Sequence, residues 1–138
     1  MGQDLFRGSV RSKLDRMASA LRVLHKSLID STQRDYEKAH GKVQSPYTLF
    51  ALVTQDPAFA WLQPMTRLIV EIEDVLGRPL PPPAEADVAE SRKKIDRLLV
   101  TEGDPFSVKY LGLVQSSPEI AAEHGRFHGV LNDIAAGR

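Results

Sequence analysis

His124 and His128 stand four residues apart, a spacing that puts two imidazoles on one face of a helix, as in helical metal sites. Glu123 lies beside them. A complete site needs further ligands, and His25, Glu71, Glu73 or Asp74 could supply them only if the fold brings them close. The chain lacks the Glu-x-x-His pairs of a di-iron bundle. His124 also falls on an apolar stripe, Ile120-His124-Phe127-Leu131-Ile134, where a buried, hydrogen-bonded histidine is the plainer outcome. His25 sits beside a second apolar stripe, with Asp30, Asp35 and Tyr36 further along. A histidine served by carboxylates can do general acid–base work. Separations of five and ten residues, however, do not stack these groups on one helical face. A polar contact to a neighbouring helix is the expectation for His25.

Aromatic residues concentrate between Tyr47 and Trp61, with Phe50 and Phe59 between them. Such a cluster fills a core or lines a pocket where short helices meet. If a small-ligand pocket exists, Tyr36, Trp61, Tyr110 and His25 are its candidate lining, with His124 and His128 as the candidate metal pair. His40 precedes Gly41 in the last turn of its helix, where it suits the helix dipole. Arg92-Lys93-Lys94 with Arg97 is the one basic cluster, and Glu85, Asp87, Glu90, Asp96 and Glu102 surround it, which marks a solvated helix face. No glycine-rich phosphate loop, nucleophile elbow or supported Ser–His–Asp set occurs. No catalytic residue and no cofactor is therefore assigned.

These residues must be positioned by helices. Val10, Leu14, Met17, Leu21, Leu24 and Leu28 are spaced four, three, four, three, four, a heptad-like seam that needs a partner surface. No Pro or Gly interrupts the chain between Gly8 and Gly41, so one long helix is predicted, capped by Asp4 or Ser9 and ended by Gly41. Asp30 and Arg34 are spaced for an i,i+4 pair on its surface. Ser45-Pro46, Asp56-Pro57, Asp104-Pro105 and Ser117-Pro118 each place a capping oxygen before a proline, the signature of a helix start. They predict a short helix over Tyr47 to Thr54 and a helix from Pro57 to Gly77, broken or kinked at Pro64. Arg78 to Pro83 holds four prolines and reads as an extended connector. Beyond it come a helix over Ala84 to Glu102 and a segment from Phe106 to Gln115 whose pattern fits helix or strand. A lone strand would have nothing to pair with, so helix is expected. The last helix opens at Ser116-Ser117-Pro118-Glu119, consistent with a capping box, and closes at Gly137.

The predicted fold is all-α: a single helical bundle of about six helices built on a long N-terminal helix. One domain covers 1–138, with a first half at 1–77, the connector at 78–83 and a second half at 84–138. Pro46-Tyr47-Thr48-Leu49 and Pro105-Phe106-Ser107-Val108 echo each other. The echo reads either as an old duplication or as the ordinary similarity of short amphipathic helices.

Composition sets outer limits. The chain has 138 residues, 42% hydrophobic and 26% charged, enough for one domain with a real core. Lysine plus arginine (18) equals aspartate plus glutamate (18), which argues against a nucleic-acid partner. With no cysteine, disulfides, thiolate catalysis and zinc–thiolate sites are excluded. Met1 to Phe6 lacks a signal-peptide pattern, and Phe6 stands where a myristoylation motif has Ser or Thr. No apolar run approaches the ~20 residues that span a bilayer. A cytoplasmic protein without a membrane partner is the expectation.

Leu24-His25-Lys26, Asp35-Tyr36-Glu37, Asp56-Pro57-Ala58-Phe59-Ala60-Trp61-Leu62, and Tyr110-Leu111 followed by Ser117-Pro118 and His124 together resemble a family of small bacterial all-helical proteins of uncharacterised function. The resemblance covers about half the chain and implies a cytoplasmic helical protein, with no activity, cofactor or catalytic residue attached. The functional expectation is a non-catalytic interaction module, forming a homodimer or binding another protein through the seam of Val10 to Leu28. The alternative is a small-ligand or metal-binding protein using the inter-helical pocket.

Overall fold

A computed structural model describes residues 8–138, and every element in that range is helical. The first, α1 (Val10–His40), runs 31 residues, or about 46 Å at roughly 1.5 Å per residue. Ser9 caps it by accepting a hydrogen bond from the Ser12 amide, and Gly41 ends it at φ 84°, a left-handed conformation that suits glycine. The alternative cap Asp4, and the Gly2 and Phe6 positions, lie outside the described residues.

All four oxygen-then-proline pairs start helices. Ser45 accepts from the Thr48 amide at the head of α2 (Pro46–Gln55). Asp56 accepts from Ala58 at the head of a 3-10 helix (Pro57–Leu62). After it, α3 (Gln63–Gly77) begins with Pro64 in its first turn. The expected break at Pro64 is thus a change from 3-10 to α geometry, and the proline stands where it costs no intrahelical bond. Beyond the connector comes α4 (Glu85–Val100), where the Asp87 carboxylate accepts from the Ala84 amide. Asp104 caps α5 (Pro105–Ser116) and Ser117 caps α6 (Pro118–Ala135). Phe106 to Gln115 is helical, as the lack of a pairing strand requires.

The seam is closed from within the chain. Leu14, Met17, Leu21, Leu24 and Leu28 are at most 1% exposed, packed by α3 and α6 along most of their length and by α4 and the 3-10 helix elsewhere. One continuous core unites Met65, Leu68 and Ile72 of α3, Ile95 and Leu99 of α4, Tyr110 of α5, and Phe127 and Leu131 of α6 with the seam. Each buried seam side chain contributes about 1.5–3 kcal/mol from the area withdrawn from water. The expectation that the seam of Val10 to Leu28 serves an external partner loses its basis: the shorter helices cover it from Leu14 to Leu28 and leave only Val10 partly exposed.

Two local expectations also give way. Asp30 pairs with Lys26 at 3.1 Å, while Arg34 reaches across to Glu119 at 3.1 Å, so the Asp30–Arg34 pair is absent. With Glu119 turned to Arg34, the capping box at α6 is not closed, and Ser117 alone caps that helix through the Ile120 amide. Long charged side chains on a surface follow their nearest tertiary neighbour at little cost in energy.

Leu21 is 0% exposed at the middle of the seam. Leu21→Ala is expected to lower the unfolding free energy by about 3 kcal/mol, read as a shift in the urea midpoint. A loss below about 1 kcal/mol would contradict full internal burial.

Candidate functional site

The chemistry-bearing residues fall into three separate places. His25 on α1 sets its Nε2 3.0 Å from the Thr66 hydroxyl of α3, the inter-helical polar contact expected of it. Burial lowers its pKa below the ordinary 6.5, so it stays neutral and holds the two helices in register.

Tyr110, His124 and His128 form the second place. Tyr110 is fully buried, which pushes its phenol pKa well up. The phenol therefore stays protonated, and its oxygen lies 2.6 Å from His124 Nδ1. A phenol proton donated to Nδ1 leaves the imidazole proton on Nε2. Desolvation first, and the neighbouring His128 second, lower the His124 pKa and keep it neutral. The His124 and His128 rings lie 4.4 Å apart, edge to face.

The third and fourth metal ligands do not assemble around this pair. Glu71 bonds Lys94 at 3.2 Å and Glu73 bonds Arg22 at 2.6 Å, while Glu123 holds Arg126. His25 is committed to α3. Among the described residues no group of three or more histidines or carboxylates could hold a metal ion. Structurally the cluster is a polar latch between α5 and α6.

The third place is a cleft of about 260 Å³ between the second half of α1, the 3-10 helix and α5. Tyr36, His40 and Lys109 line it, with Ser31 and Thr32 at its inner end. Trp61 stands directly behind. Its indole Nε1–H donates to Thr32 Oγ1 at 3.3 Å, and the Lys109 ammonium lies 4.7 Å over its ring. The Thr32 hydroxyl donates in turn to the Leu28 carbonyl at 2.8 Å. Of the four ligand candidates, the structure brings Tyr36 and Trp61 to this cleft and leaves His25 and Tyr110 elsewhere. Trp61 connects to Tyr110 only through Phe106, with ring centroids 5.3 and then 6.0 Å apart. Ser31, Thr32 and Lys109 carried no signal in the sequence, because nothing in their spacing relates α1 to α5.

The aromatic cluster divides. Phe59 is fully buried, and Trp61 is packed against the core. Tyr47 and Phe50 are 89% and 71% exposed, and no residue of α2 is buried. In the basic cluster Arg92, Lys94 and Arg97 pair with Asp96, Glu71 and Glu90, and Lys93 is exposed. No helix among the described residues is long and apolar enough to cross a membrane. No family model, curated protein or solved structure matches this chain. The functional reading rests on these side chains.

The two lowered histidine pKa values set a pH dependence. A histidine titrating below its unfolded value stabilises the fold in its neutral form, and that contribution fades as pH falls below about 6.5 toward the folded pKa. The urea midpoint is therefore expected to drop between about pH 7 and pH 5. The slope should flatten in the His25→Gln, His124→Gln double variant, and parallel lines for parent and variant would contradict the assignment.

Proposed function

We propose that this chain is a non-catalytic interaction module that pairs with a second copy of itself through the outer face of α2. The observation that carries the reading is the exposure of Tyr47 and Phe50 on a ten-residue helix with no buried residue and no charge. Leu49, Leu52 and Val53 face inward and pack against the core. Tyr47, Phe50, Ala51 and Thr54 are the exposed positions opposite, spaced three, four and seven from Tyr47 as on a second helical face.

A comparison within the chain supports the same reading. Asp104-Pro105-Phe106 opens α5 as Ser45-Pro46-Tyr47 opens α2. Phe106 is 3% exposed, stacked on Tyr110 and tilted against Trp61, whereas Tyr47 is 89% exposed. The aromatic that follows the capping proline is an anchor in one half and is left uncovered in the other. Aromatic anchors in uncharged patches are characteristic of interface centres. The other exposed large apolar side chains are Leu80 in the connector and Val23, Val70, Val100 and Val108, one on each of four helices; no other helix presents two.

Charge complementarity favours a second copy. A face without charge is matched by another face without charge, since burying an unpaired ion is costly, and α2 itself supplies one. Two such faces related by a twofold axis make a closed, self-complementary contact. The seam of α1 takes no part.

Solution mass measured across a concentration series tests this. The parent is expected to form a dimer that dissociates on dilution. Phe50→Glu should weaken association by at least about tenfold with unchanged helicity, because Phe50 makes little contact with its own core. A parent monomeric at every concentration, or a Phe50→Glu variant as dimeric as the parent, would overturn the reading.

A further inference from the structure

We propose that the cleft between α1, the 3-10 helix and α5 binds a small aromatic monocarboxylate. Lys109 supplies the cation. Its ammonium makes no ion pair among the described residues, and the one carboxylate lining the cleft, Asp35, is paired with Lys38 instead. It lies over the Trp61 ring, which attracts the cation but accepts none of its three N–H bonds conventionally, so its outer side is free to donate to an anion. The seat beneath it is fixed in advance. Trp61 donates to Thr32, whose own proton is committed to the Leu28 carbonyl, so ligand binding need not order the ring.

Ser31 supplies a second donor. The residue is 9% exposed, yet its hydroxyl has no hydrogen-bond partner among the described residues, unlike the neighbouring Ser27 and Thr32 hydroxyls, which bond to their own helix. No fully buried side-chain oxygen in the described structure lacks a partner. The remaining accessible surface of Ser31 therefore opens onto the cleft that it lines. A hydroxyl so deeply placed normally finds a partner, and a carboxylate oxygen would provide one.

Shape and charge narrow the class. The Tyr36 and His40 rings lie 4.4 Å apart and form one wall, facing Ala58 and Leu113. That surrounds a flat apolar body. The volume of about 260 Å³ equals about nine waters at roughly 30 Å³ each, room for one ring with its carboxylate and not for a nucleotide. One unpaired cation matches one negative charge. Asp35 at the rim, 3.7 Å from Lys38, disfavours polyanions such as inorganic phosphate.

Trp61 is the single tryptophan, so its fluorescence, excited at the red edge of the indole band, reports directly on the cleft. The probes are benzoate and phenylacetate, with benzamide as the neutral isostere and inorganic phosphate as the competing anion. Saturable changes are expected with both carboxylates in the millimolar range or below. Benzamide and phosphate should bind at least about tenfold more weakly. Lys109→Gln, at an exposed position, should lower carboxylate affinity by about tenfold without changing benzamide binding. Amide shifts of Ser31 and Tyr36 in the same titration give a readout independent of Trp61. The proposal fails if the carboxylates give no saturable response, if Lys109→Gln leaves their affinity unchanged, or if phosphate or benzamide binds as well. No residue of α2 is involved, so Phe50→Glu should bind benzoate like the parent, and the two proposals stand or fall separately.

Discussion

Five side chains on one face of α1, from Leu14 to Leu28, are withdrawn from solvent by helices drawn from both halves of the chain. That closure fixes where every other group can stand. Because α3 and α6 both press along α1, neither can rotate without opening the core, and interiors packed to this density do not deform gradually. The same closure takes the face from Leu14 to Leu28 out of reach of any partner. Apolar area that finds no place in this core has to lie outside, and α2 is the helix with no buried residue.

Polar contacts set at the edges of this core turn approximate packing into a single arrangement. His25 to Thr66 ties α1 to α3, Tyr110 to His124 ties α5 to α6, and Trp61 to Thr32 ties the 3-10 helix to α1. The first and third join elements distant in sequence, and the second locks two consecutive helices against each other. Such bonds add modestly to net stability, but leaving any one partner alone in a partly desolvated site is costly. The residues with the most suggestive chemistry in this chain are therefore already occupied. Lys109 and Ser31, which look ordinary in the sequence, are groups at the cleft that keep donor capacity to spare.

The division between what was legible in the sequence and what was not follows the range of the forces. Ser45, Asp56, Asp104 and Ser117 each act on an amide two or three residues away, so helix starts can be read from four or five letters. The break at Pro64 and the left-handed stop at Gly41 are equally local. Periodicity identified the seam as a face that must be buried. It could not say whether a second chain or the protein's own helices would bury it. The same gap explains Tyr47 and Phe50: their composition matches Phe106, and only the tertiary arrangement decides that one aromatic is enclosed and the other two are not. The ion pair Arg34–Glu119 joins residues 85 positions apart, and the cleft sets Lys109 beside Trp61 and Tyr36, about 50 and 70 positions away, beyond any spacing rule.

The proposed function implies a division of labour in which α1 holds the molecule together and α2 presents it to a second copy. Amide hydrogen exchange measured at low and high protein concentration tests it most directly. Amides from Leu14 to Leu28 should exchange only through global unfolding, while protection within α2, from Leu49 to Thr54, should rise with concentration. Exchange in α2 that ignores concentration, or local opening of the α1 seam well below the global unfolding free energy, would contradict the account.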